Sequence, residues 1–103
     1  MIGYRFLDSG AIPWRKSRFA DGVEVKDLGA IDGRAMQLVR YAPGMSFPAH
    51  EQLGAEFIYL VEGEALQEGQ RIRPGWAAVA ATGTRDGDFH SRTGCVFLTV
   101  YSE

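Results

Sequence analysis

Hydrophobic positions along this chain come in short runs with a two-residue period, and helical periodicity is nearly absent. Residues 23–28 alternate as V-E-V-K-D-L, and 34–41 form a second strand-like run that ends at Ala42-Pro43-Gly44. Pro followed by Gly suits the two central positions of a type II turn, because glycine accepts positive φ. Residues 46–50 are short and contain Pro48, which favours a sheet edge or a strand start. The strongest strand signal is 56–62, carrying Phe57, Ile58, Tyr59, Leu60 and Val61. Residues 65–67 and 70–73 flank Glu68-Gly69 as a hairpin, 76–81 follow Pro74-Gly75, and 95–101 make a final strand. Residues 1–20 read as an extended arm, placed to pack on its own barrel or to exchange with a partner. Residues 21–103 read as one all-β domain, a sandwich or small barrel.

Composition narrows this picture. A chain of 103 residues fits a single domain with one core. The 46% hydrophobic content argues against disorder. A net charge of −2 offers no broad basic surface, so neither nucleic acid nor an anionic membrane is an expected partner. The cluster Arg15, Lys16 and Arg18 reads as a solvated face. Cys95 is the single cysteine, which excludes an internal disulfide and a Cys-rich zinc site. With Val96, Phe97 and Leu98 following it, Cys95 reads as a core residue. The first ten residues lack a signal-peptide pattern, and no apolar stretch approaches the roughly 20 residues of a membrane span. A soluble, cytoplasmic protein is expected.

Candidate chemistry lies in two spaced strings. In GMSFPAHEQLGAEFIYLVEG, Gly44, His50, Gln52, Glu56 and Gly63 form one spaced string. In GWAAVAATGTRDGDFH, Gly75, Ala81, Gly83, Asp86 and His90 follow. The chain here resembles a cupin. The first cupin motif, G-x5-H-x-H-x3,4-E-x6-G, fits without a gap, with Gln52 in place of the second His. The second, G-x5-P-x-G-x2-H-x3-N, keeps its spacing with Ala81 for Pro, Asp86 for His and His90 for Asn. More narrowly, the chain resembles the cupin module of ChrR-type anti-sigma factors. The matching residues include Trp14, Gly22-Val23, residues 38–44, 47–50, 60–63, Ser91 and Gly94-Cys95.

This resemblance implies a cupin-type jelly-roll β-barrel with its site inside the mouth. It also implies a homodimer, since the family habitually pairs its barrels. The intact family set is three His and one Glu, which suits iron, manganese, nickel, copper or zinc. Here His50, Gln52, Glu56 and Asp86 supply one nitrogen and three oxygens, a shift toward harder cations such as Mn²⁺ or Mg²⁺. His90 stands as a rescue ligand or as a surface residue near a turn. The expected cofactor is thus a divalent metal drawn from Mn, Fe, Zn, Ni or Mg.

His50 and Gln52 are two apart, so on a strand they share a face. A hairpin at Gly54 would return Glu56 beside His50. Glu56 and Asp86 together in a partly dry pocket would repel, so a cation, a shared proton or an arginine must balance them. Arg40 and Arg85 are the candidate arginines. The alanine-rich run 76–81 would leave room in the lumen for a small ligand unless Phe47, Trp76, Phe89 or Phe97 fills it.

Three functions follow. The first is a small cupin that binds a metal ion or small ligand without demonstrated catalysis. The second is a metal-dependent enzyme of dioxygenase, isomerase or lyase type acting on a small polar substrate. The third is a regulatory or interaction module of the anti-sigma type.

Overall fold

The computed structural model describes residues 3–47, 50–51, 54–86 and 89–103, with the backbone alone at 50, 51 and 86. A 3-10 turn at Ser9–Ala11 precedes twelve strands: β1 (Arg15–Lys16), β2 (Val23–Ile31), β3 (Arg34–Tyr41), β4 (Met45–Ser46), β5 (His50–Glu51) and β6 (Glu56–Gly63), then β7 (Ala65–Gln67), β8 (Gln70–Ile72), β9 (Ala77–Ala80), β10 (Arg85–Asp86), β11 (Phe89–Ser91) and β12 (Cys95–Ser102). They form a six-stranded sheet ordered β1-β2-β3-β12-β6-β9, a four-stranded sheet ordered β4-β11-β7-β8, and the pair β10-β5. All pairings are antiparallel. This is the all-β jelly-roll architecture expected from the sequence. No helix among the described residues is long and apolar enough to cross a membrane.

Turn chemistry fixes several strand ends. Gly44 has φ 82°, and the Met45 amide donates to the Ala42 carbonyl, which closes the expected type II turn. Glu68 and Gly69 both have positive φ, the requirement of the two-residue type I′ hairpin that joins β7 to β8. Gly63 is constrained twice. Its φ is +75°, and a Cβ there would strike the Gly94 carbonyl oxygen where β6 meets the start of β12. The glycine that closes the first motif is therefore required by backbone contact.

Burial alternates along the long strands, so the large sheet has an inner and an outer face. Val23, Val25, Val39, Tyr41, Leu60, Cys95 and Phe97 are buried on the inner face. They meet Ala65, Ile72 and Phe89 from the small sheet. Tyr41, Phe89 and Phe97 form an edge-to-face triad with ring centroids 5.1–5.6 Å apart, and this triad fills one end of the interior. Cys95 is buried and free, as its apolar neighbours imply, and burial raises its thiol pKa.

The arm packs on its own chain at its root. β1 pairs with β2, placing Arg15 opposite Val25. Trp14 lies on the outer side, 4.3 Å from the Arg40 guanidinium and 5.0 Å from the Lys26 ammonium. Lys26 also donates to the Ser9 carbonyl at 2.8 Å.

Candidate functional site in the open end of the barrel

The inner face changes character along its length. Toward the aromatic triad it is apolar, and toward the other end the inward positions become polar. The register sets Asp27 opposite Gln37 and Gln37 opposite Thr99, and it sets Tyr101 opposite Glu56. Glu56 shares its face with Ile58 and the fully buried Leu60, so its carboxylate lies on the interior side of β6. The Thr99 hydroxyl donates to Glu56 Oε2 at 3.0 Å.

Beside Glu56 opens a cleft of about 130 Å³, lined by Ile58, Ala78 and Ala80 on one wall and by Gln67, Thr84 and Arg85 on another. The small alanines of β9 leave this space. Phe89 and Phe97 fill the interior deeper down, so the two outcomes expected of the lumen occur at different depths.

Of the sequence-predicted residues, Glu56 and Arg85 line the cleft, and Asp86 follows Arg85 on β10. β10 pairs with β5 so that Asp86 lies directly opposite His50 and Arg85 opposite Glu51. The tie between His50 and its motif partner differs from expectation. Among the described residues β5 pairs with β10 and not with β6, so Glu56 is not returned beside His50 as a hairpin neighbour. Gln52 lies outside the described residues, and the side chains of His50 and Asp86 are likewise not described. His90 sits half-buried on β11 between the inward Phe89 and Ser91, on the strand face opposite Phe89 and its cross-strand neighbour Gln67. The register does not bring it to the cleft. Among the described residues no three His, Cys, Asp or Glu side chains gather as a metal site.

Of the two arginines expected to balance the carboxylates, Arg85 lines the cleft with Glu56. Arg40 does not. It alternates outward from Val39 and Tyr41, and its guanidinium is bound to Glu24 at 2.7 Å on the outer face. The arginine at the polar end comes instead from the arm. Arg15 holds Asp27 through two bonds of 2.8 and 3.0 Å, and Gln37 donates to the same carboxylate at 2.8 Å. The Arg15 bond, followed by that of Gln37, holds the Asp27 carboxyl below its ordinary range. The basic cluster read as a solvated face thus contains one residue that is structurally engaged. Inward polar residues in phase with the core, Gln37 and Thr99 among them, are the signal that marks this region in the sequence.

Tyr101 stands between the two groups of carboxylates. Partial burial, then the charges of Asp27 and Glu103, with a smaller contribution from Glu56, raise its phenol above the ordinary tyrosine value. A raised folded-state pKa contributes stability below the unfolded value, near 10, and that contribution disappears as pH rises through the folded value. Unfolding measured by denaturant between pH 9 and 12 should therefore show an alkaline loss of stability that Tyr101→Phe reduces. Identical alkaline profiles in the two proteins would refute this placement.

A two-sheet jelly roll with a packed aromatic end and a polar open end, flanked by the spaced His50/Glu56 and Asp86 strings, defines a cupin. The chain belongs to the ChrR cupin-like domain family, whose sequence profile matches residues 4–102. No curated protein matches it in sequence. Among solved structures it is similar to an acetylacetone dioxygenase from Acinetobacter johnsonii (TM-score 0.81, 14% identity, covering 99% of this chain and 74% of that one). It is also similar to the polyketide cyclase RemF from Streptomyces resistomycificus (TM-score 0.83, 18% identity, 97% and 80%). A third similarity is to the Rhodobacter sphaeroides complex of SigE with the anti-sigma ChrR (TM-score 0.76, 20% identity). There the match covers 90% of this chain and only 50% of the other. At these identities the likeness is one of fold, and the three relatives differ widely in what they do.

Proposed function

We propose that this protein is a binding cupin whose mouth holds a hard divalent cation together with a small polar ligand. The observation that carries the reading is a cleft that Glu56 and Arg85 share, with Arg85 adjoining the position 86 that pairs with position 50. The β5–β10 register sets position 86 against position 50, and Glu56 lines the adjoining cleft. His50, Glu56 and Asp86 would hold the cation, with Gln52 as a weak neutral oxygen donor. One nitrogen and several oxygens make a donor set suited to Mn²⁺ or Mg²⁺ in preference to softer metals.

The donor chemistry fits such an ion. An Asp86 carboxylate brought near Glu56 would repel it unless a positive charge lay between or beside them, and Thr99 donates to one oxygen of Glu56. A bound cation would polarise a carbonyl or carboxylate oxygen of the ligand. Arg85 adds a fixed positive charge on the cleft wall. Ile58, Ala78 and Ala80 supply an apolar wall sized for a few non-hydrogen atoms. Replacement of two family histidines by Gln52 and Asp86 removes the two-His-one-carboxylate triad of oxygen-activating iron sites, which favours binding over oxygenase chemistry.

Protein purified without a metal-affinity tag should contain close to one equivalent of divalent metal, and His50→Ala should lose it while keeping its β-type circular dichroism. Metal absent from both folded proteins would sink the cation reading. Membership in the ChrR cupin-like family favours a second reading, an interaction module, and that reading would then stand alone.

A further inference from the structure

The small sheet has an outer face that the mouth does not use. Ala65, Ile72, Phe89 and Ser91 are buried on its inner side, so Leu66, Arg71 and His90 stand on the outer side in one cross-strand row. A cleft of about 140 Å³ opens on this face, lined by Glu64, Ala65, Leu66, Arg71, Arg92 and Thr93. It shares no lining residue with the cleft beside Glu56.

The fold holds the walls of this cleft in place. Ser91 is fully buried, and its hydroxyl donates to the Glu64 carbonyl, which ties the end of β11 to the start of β7. The β11–β7 register, Phe89 with Gln67 and His90 with Leu66, runs on toward Arg92 and Glu64. Arg71 comes from β8, where it pairs opposite Leu66. Two guanidinium groups therefore reach one cleft from either side of β7. Among the described residues neither is ion-paired, although the Glu64 carboxylate lines the same cleft. The Thr93 hydroxyl donates to the Gly94 carbonyl, so it serves as wall.

We propose that this cleft binds a phosphate-type oxyanion, free or carried by a small phosphomonoester, through Arg71 and Arg92. Each guanidinium presents a fork of N–H donors that matches two oxygens of an anion. One fork satisfies a planar carboxylate. A tetrahedral phosphate has enough terminal oxygens to accept two forks that approach from different strands. Charge points the same way. Two arginines and one glutamate leave the lining with one net positive charge, in a chain whose total is −2. An anion is thus attracted here against the sign of the whole molecule. Glu64 opposes that attraction and keeps the affinity below what the arginine pair alone would give.

Titration of inorganic phosphate into the full, metal-stripped chain, followed by amide proton–nitrogen correlation spectra at constant ionic strength, tests this. Stripping the metal keeps phosphate from reporting on a cation in the mouth. Saturable shifts should centre on the amides of Leu66, Arg71 and Thr93, while those of Glu56 and Arg85 stay still. Arg71→Gln and Arg92→Gln should each weaken binding roughly fivefold to tenfold, a modest loss because both groups are exposed. Glu64→Gln should tighten it roughly twofold to fivefold. Acetate should bind roughly tenfold more weakly than phosphate, since it engages one fork. Tighter binding of glycerol phosphate than of inorganic phosphate would assign the cleft to a phosphomonoester, and the reverse order to the free ion. Circular dichroism checks that each variant keeps its strands. No saturation up to tens of millimolar phosphate, equal binding of acetate, shifts centred on Arg15 and Arg18, or arginine variants that bind as wild type does would each overturn the proposal. Neither arginine lines the mouth, so that outcome leaves the cation reading intact.

Discussion

Phe97→Ala should lower the thermal midpoint by roughly 15–30 °C. Phe97 is 5% exposed and packs edge-to-face on both Tyr41 and Phe89. Truncating a buried phenylalanine costs about 3–5 kcal/mol, from lost transfer energy and from the cavity left behind. The cavity cannot collapse easily here. Phe97 lies on β12, the central strand held between β3 and β6, while Phe89 approaches from the opposing sheet. Each kilocalorie shifts the midpoint of a domain this size by about 4–8 °C. Domains of this kind are stable by only about 5–15 kcal/mol, so the variant is expected to fold marginally. Phe97→Leu, which keeps most of the volume, should cost far less. Equal midpoints for Phe97→Ala and wild type would mean that the triad is not the centre of the core.

Glu56→Gln should weaken divalent-cation binding at least tenfold to a hundredfold, with little change in the fold. Changes confined to the outer shell of a metal site already cost that much, and Glu56 is proposed here as a direct ligand. The substitution is chosen to separate charge from shape. Glutamine keeps the length and an oxygen that can accept from Thr99, so the local hydrogen bond survives. What is lost is the negative charge that the cation neutralises. Asp86→Asn should act in the same direction, since Asp86 is paired opposite His50 and follows Arg85, which lines the cleft.

The strands were largely legible because each is punctuated by turn chemistry. Residues 34–41 and 65–67 form strands with the expected bounds, and 56–62 extends by one residue to Gly63. The reading of β2 stops too early, at residue 28, for a physical reason. The pairing register slips between Asp27 and Gly29, so Leu28 is an extra residue that breaks the two-residue alternation, and the strand continues to Ile31. A second slip, between Glu62 and Leu60 opposite Val96 and Phe97, leaves Val61 outside the alternation in the same way.

The site was legible in part. Motif spacing singled out Glu56, which lies on the inner face, and Asp86 and His50, whose backbones are paired. Spacing along one chain carries no information on which distant strands adjoin. It therefore missed the β5–β10 pairing and offered Arg40 as a partner for carboxylates on the other side of the sheet. The polar wall of Gln37, Thr99, Tyr101 and Asp27 went unassigned for the same reason: its inward phase shows polarity but not which strands adjoin. Each is an ordinary strand residue until the register lines them up against Glu56. Arg15, in a segment read as an extended arm, joins them because β1 pairs with β2.

The cation proposed for the mouth around Glu56 is open to direct titration. Its most direct test is a titration of Mn²⁺ into metal-stripped protein, followed by loss of the free-ion electron paramagnetic resonance signal. The expected result is saturation at one Mn²⁺ per chain, with Glu56→Gln at least tenfold weaker. No saturable binding up to millimolar Mn²⁺, or equal binding by wild type and Glu56→Gln, would rule out a cation held by Glu56.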